Sequence, residues 1–212
     1  MGNAYRAFKE NFALGKTSGE LFSAFEGSLK KELGEYETVY DYIWGKDTLR
    51  IDGETEKGYI PKPQDTLIMD ISVGKDGVWC DVCRTFFVGE PTEGQRERYA
   101  LIERSLRAGH RALRAGVSAE EIYGQVNAVY KEQGKELAHH AGHKIGEKPL
   151  LQPQFLLGNK TPLVKGGAYT VESGLYEEFG IRLENDFVIT DGSAEDLFEN
   201  ILPLEITWYI LK

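Results

Sequence analysis

Asp70 and Asp81 flank one predicted hairpin, and Glu172 and Glu184, lying 102 and 103 residues further on, flank a second. Residues 68–73 and 78–88 are rich in strand-forming types, and Gly74, Lys75, Asp76 and Gly77 between them are turn residues. A turn centred on Lys75 and Asp76 sets the two aspartates directly opposite each other. Centring it on Asp76 and Gly77 moves Asp81 one diagonal away but leaves both carboxylates on one face, because side chains alternate with a period of two. In the second segment, residues 168–174 and 181–190 surround Glu177, Glu178, Phe179 and Gly180. Any odd-length loop centred near Glu178 puts Glu172 and Glu184 on one face. Like charges directly opposed on a sheet, with Cβ atoms about 4.5–5.5 Å apart, repel. Four acids so arranged require a cation.

Hard divalent ions take oxygen ligands, and two ions about 3.5–4 Å apart need carboxylates that can bridge them. A nitrogen ligand is available in His143, which lies between the hairpins in the run His139, His140, Ala141, Gly142, His143. Glycine there permits close backbone approach. The plainer alternative is four solvated acids on exposed strands, and the matched spacing in both hairpins counts against it.

The sequence also repeats its helices. Thr17 with Glu20 and Ser118 with Glu121 read as capping boxes that open amphipathic helices, 101 residues apart. Each is preceded by another helical stretch, residues 5–14 and 92–115, the latter opened by Thr92 and Gln95. Each half is therefore two helices followed by a hairpin that carries two metal-facing acids. Two such halves, about 1–90 and 91–212, pack their sheets together within one domain spanning 1–212, with helices outside and metals between.

A net charge of −9 disfavours a nucleic-acid surface, which needs clustered Lys and Arg. No apolar run approaches membrane-spanning length and the N-terminus has no apolar signal core, so the expected location is the cytoplasm. Cys80 and Cys83 have the spacing of a redox pair, but residues three apart on a strand point to opposite faces and cannot form a disulfide without breaking it. Cys83 shares a face with Asp81.

With these residues assembled, the chain resembles the pita-bread metallopeptidases: methionine aminopeptidase, proline aminopeptidase, prolidase and their non-peptidase relative creatinase. The first family block matches Asp70 and, eleven residues on, Asp81 followed by Val82, Cys83, Arg84, Thr85 and Phe86. Further blocks match Gly142, His143, Lys144, Ile145 and Gly146, then Glu172, Ser173 and Gly174, then Arg182, Leu183 and Glu184. The resemblance implies an α+β fold, with two pseudo-symmetric halves of helices packed on a curved, mainly antiparallel sheet. It implies the catalytic domain alone, since only about sixty residues precede the first hairpin. It also implies two divalent ions, Mn, Co, Fe or Zn, with Asp70 on one, Asp81 and Glu184 bridging, and His143 and Glu172 completing the other. Glu172 and His143 would be the catalytic residues, with Glu172 taking the proton of the attacking water. The partner would be a peptide or small amide, with no nucleic acid or membrane, and a homodimer is the candidate assembly.

Two departures accompany the resemblance. Asp52 stands near the place of an upstream family histidine, and Leu150 stands where the family carries a second histidine after the metal-binding one. Cys83, His139, His140, Leu150 and Arg182 are the expected substrate-pocket residues. Without those histidines, cleavage of Xaa-Pro dipeptides or N-terminal Met peptides is expected to be weak. The rival readings are non-peptidase chemistry at the same metals, creatinase-like or lyase, and a catalytically silent binding domain.

Overall fold

The computed structural model describes residues 1–212. Helix α1 (Gly2–Asn11) turns Ala4, Tyr5 and Phe8 inward. It starts three residues before the predicted stretch, because no side-chain cap marks its beginning. Helix α2 (Ser18–Leu33) opens on the Thr17 box, in which the Glu20 amide donates to the Thr17 hydroxyl and the Thr17 amide to the Glu20 carboxylate. Helix α3 (Glu93–Ala112) opens the same way on Thr92 and Gln95. At α4 (Ala119–Lys131) the Glu121 carboxylate accepts from both the amide and the hydroxyl of Ser118. Each reciprocal pair satisfies donors that a helix end leaves free.

The strands are β1 (Glu37–Trp44), β2 (Thr66–Lys75), β3 (Val78–Val88), β4 (His143–Ile145), β5 (Leu151–Gln154), β6 (Ala168–Glu177), β7 (Phe179–Ile189), β8 (Ala194–Asp196) and β9 (Ile210–Leu211). They form one sheet in the order β1-β2-β3-β7-β6-β4-β5, with β8 on β7 and β9 on β3. All pairings are antiparallel except β3 with β9. The two predicted hairpins are β2-β3 and β6-β7. Instead of stacking as two packed sheets, they join edge to edge through β3 and β7, where Cys83 faces Glu184. Edge pairing satisfies backbone groups that two separate hairpins would leave exposed.

The register settles the first turn. Lys75 pairs with Val78, leaving Asp76 and Gly77 as a two-residue loop with φ of 53° and 78°. That positive-φ pair matches the twist of the flanking strands. Asp70 therefore faces Cys83, Ser72 faces Asp81, and the two acids stand on the diagonal. In the second hairpin Glu172 directly faces Glu184, with Glu178 at the tip. A further strand, β1, pairs along β2 and sets Asp41 opposite Asp70.

Behind the sheet, a core cluster of 46 buried residues draws from both halves. The buried Tyr5 hydroxyl reaches the carbonyl oxygens of Met69 and Val82 at 2.9 and 2.8 Å, tying α1 to the first hairpin. Its ring also packs edge-on against Phe25 of α2. Arg84, fully buried, donates to the carbonyl oxygens of Cys83, Glu184 and Leu202 and to the Asn185 side chain, pinning β3 against β7 at the centre of the sheet.

Candidate metal centre

Asp70, Asp81, His143, Glu172 and Glu184 line one cavity of about 180 Å³. They arrive there on β2, β3, β4, β6 and β7. The four acids are far from solvated: their side chains are 0–10% accessible, which removes the exposed-strand alternative. The ligand atoms of Asp81, His143 and Glu184 lie within 4.8 Å of one another, and His143 Nε2 is 3.7 Å from an oxygen of each acid. Asp81 Oδ1, Glu172 Oε1 and Glu184 Oε1 are buried without a hydrogen-bond donor. Buried charge left so is unfavourable unless something pairs with it.

Backbone contacts aim this trio. The His143 amide donates to Thr170 Oγ1 at 3.1 Å, and His143 Nδ1 sits 3.1 Å from the Lys144 carbonyl oxygen, leaving Nε2 for the acids. Gly142, at φ of 129°, lets the chain lie against β6; a Cβ there would stand 2.2 Å from the Thr170 carbonyl oxygen. The Asp81 amide donates to Asp186 Oδ2 at 2.9 Å.

Asp70 and Glu172 are held differently, by Arg182. Its Nη1 is 3.0 Å from Asp70 Oδ2, and its Nη2 pairs with Glu172 Oε2. Two histidines flank Glu172 as well: His140 Nδ1 is 2.7 Å from Oε1, and His139 Nδ1 is 3.4 Å from Oε2. The His140 contact is close but lies off the ring N–H direction, so it is an ion-pair approach more than an aligned hydrogen bond.

The titration behaviour follows from this layout. Burial, and then the neighbouring Asp70, push the Asp81 carboxyl well above its ordinary value. Burial and Asp81 do the same to Glu184. Burial raises Asp70 to about 6 against the opposing pull of Arg182. Glu172 goes the other way: burial opposes its charge, but Arg182 and the two histidines outweigh it and hold the carboxyl well below the usual range. Burial also lowers His143, keeping the neutral imidazole that a metal requires. Acids that resist ionising, with lone pairs unsatisfied beside a neutral imidazole, could hold a divalent cation.

Of the expected pocket residues, His140, Leu150 and Arg182 line the cavity, as does Asp52. Cys83 and His139 do not. Cys83 is fully buried in a small apolar cluster with Ile43 and Ile68, its Sγ 3.6 Å from the Arg182 carbonyl oxygen, and the register sets it between Asp70 and Glu184. His139 lies behind His140, with Nδ1 2.7 Å from the His140 carbonyl oxygen and Nε2 3.0 Å from the Tyr176 hydroxyl. Asp41 also lines the cavity and accepts the Gly53 amide at 3.1 Å. The strand-like run Thr38, Val39, Tyr40, Asp41, Tyr42, Ile43, Trp44 was the signal that would have found it.

A family model described as metallopeptidase family M24 matches residues 1–191. The chain is 32% identical over 135 residues to "Probable dipeptidase PepE" of Mycobacterium tuberculosis, covering 61% of this chain and 36% of that protein. It is 28% identical over 182 residues to an Xaa-Pro dipeptidase of Lactobacillus delbrueckii subsp. lactis, covering 83% of this chain and 49% of that one. The chain thus spans about a third to a half of the length of these curated relatives. Among solved structures, an Xaa-Pro dipeptidase from Bacillus anthracis superposes with a TM-score of 0.90 at 23% identity, over 99% of this chain and 59% of that one. That likeness shows the fold.

Proposed function

The chain belongs to metallopeptidase family M24, and from that premise we propose that it is a metal-dependent hydrolase of the dipeptidase or aminopeptidase type, acting on a peptide or small amide. The observation that carries the reading is the buried, unsatisfied set of Asp81, His143 and Glu184 with Glu172 and Asp70 on the same cavity wall. Asp70, Asp81, His143, Glu172 and Glu184 would hold up to two divalent ions, from among Mn, Co, Fe and Zn. Bound there, such ions acidify water and polarise a carbonyl.

The protein's own groups do the rest. Glu172, held in its ionised form by Arg182 and the two histidines, is the carboxylate that would accept the proton of the attacking water. As water oxygen joins the carbonyl carbon and the C–N bond breaks, that proton passes to the leaving nitrogen. Arg182 keeps the Glu172 carboxylate in place while also fixing Asp70. Leu150 and Asp52, on the cavity wall, provide an apolar surface and an acceptor where a hydrogen-bond donor to the reacting oxygen would be useful. Losing one such donor typically lowers the rate on the order of a hundredfold to a thousandfold.

The test is a panel of Xaa-Pro dipeptides, non-prolyl dipeptides, N-terminal Met peptides and non-peptide amides, assayed on metal-loaded protein beside Glu172→Ala. Turnover that chelator and Glu172→Ala both abolish is expected, with Xaa-Pro and N-terminal Met substrates below a kcat/KM of about 10⁴ M⁻¹s⁻¹. Turnover unaffected by Glu172→Ala, or none on any substrate, would contradict the reading.

A further inference from the structure

Two imidazoles flank Glu172, and they are not equivalent. The His139 side chain is 7% accessible and both its nitrogens are taken, by the His140 carbonyl oxygen and the Tyr176 hydroxyl. The His140 side chain is 22% accessible and lies on the cavity wall with Asp52 and Leu150. Its Nδ1 lies 2.7 Å from Glu172 Oε1, and Nε2 makes no aligned side-chain hydrogen bond within the protein. An imidazole braced at one nitrogen and open at the other is arranged to meet a ligand.

Most other polar groups on the wall are already engaged, and Ser72 stands opposite Asp81. Arg182 is engaged by Asp70 and Glu172, Asp41 by the Gly53 amide, and Leu150 has nothing polar to offer. We propose that His140, and not the better-buried His139, is a substrate-contacting residue: held by Glu172, it makes through Nε2 the polar contact to the reacting amide that positions 52 and 150 do not provide. This rests on the hydrolase reading above. His139 and Tyr176 act behind it as support.

The experiment compares metal-loaded wild type, His140→Ala and His140→Gln by three readouts: bound metal by elemental analysis, kcat and KM on the best dipeptide of the panel, and calorimetric binding of a phosphinic dipeptide analogue that mimics the tetrahedral carbon. His140→Ala is expected to keep its metal, to lose roughly 10²- to 10³-fold in kcat with KM within about threefold, and to bind the phosphinate more weakly by a similar factor. His140→Gln, which restores a polar group, should recover at least about tenfold of the lost rate. An active wild type with His140→Ala within about threefold of it would overturn the proposal alone. So would a loss in His140→Ala that excess metal restores, since that is the signature of a residue that only braces Glu172. A wild type that neither cleaves peptide nor binds the phosphinate would remove the hydrolase reading and this inference with it.

Discussion

Arg182 places a single guanidinium between Asp70 and Glu172, and the two acids respond in opposite senses. Glu172, with two histidines added, stays ionised; Asp70, deep and near other acids, is raised to about 6. A carboxyl whose folded value lies above its unfolded one contributes stability that is fully present below about pH 4 and is lost as pH rises through 6. Chelator-treated protein should therefore become less stable relative to Asp70→Asn as pH is raised from 4 to 7.5, by on the order of 1–3 kcal/mol in urea unfolding. Parallel pH profiles for the two proteins would show that Asp70 is not perturbed. At this scale the sequence was informative: all five donors proposed from spacing and resemblance line one cavity. It could not reveal that Cys83 would be packed in an apolar cluster off the cavity wall, because sharing a face with Asp81 does not determine depth. Nor could it choose between His139 and His140, which differ by one position on an irregular segment.

Element by element, strong local chemistry was legible and weak local chemistry was not. The Thr17, Thr92 and Ser118 boxes marked three helix starts, whereas α1 lacks a side-chain cap and began earlier than expected. The long hairpins showed their period, but β4, β5, β8 and β9 span four residues or fewer and carry too little alternation to be recognised. Strand β1 differs from these, since its aromatic and β-branched run is a clear strand signal. Two substitutions separate scaffold from site. Thr92→Ala removes a helix cap remote from the cavity and should cost about 1 kcal/mol in denaturant unfolding with metal affinity unchanged. Gly142→Ala forces a Cβ into the Thr170 carbonyl oxygen and displaces β4 from β6, so it should cost on the order of 2–4 kcal/mol and weaken metal binding through His143. Equal metal affinity in Gly142→Ala and wild type would mean that the strand contact does not position the imidazole.

For the molecule as a whole, the near-constant spacing of about a hundred residues leads to the expectation of two similar halves, and the alternation of acids puts the carboxylates of each hairpin on one face. What it did not give was the mode of union, because edge pairing of β3 with β7 depends on backbone groups that no side-chain pattern reports. The union sets the acids of both hairpins around one point, so occupancy of that point should be felt globally. A ligand that binds only the folded state at a hundred times its dissociation constant adds about 2.7 kcal/mol, which for a chain of this size raises the melting temperature by roughly 5–10 °C. Indifference of the melting temperature to chelator and to added Mn or Zn would speak against a cation site. The most direct test is to count ions: elemental analysis of wild type and Asp81→Ala after reconstitution with Mn or Zn and removal of excess. The account predicts between one and two ions retained per wild-type chain and a clear loss in Asp81→Ala. Less than one tightly held ion in wild type, unchanged by the substitution, would contradict it.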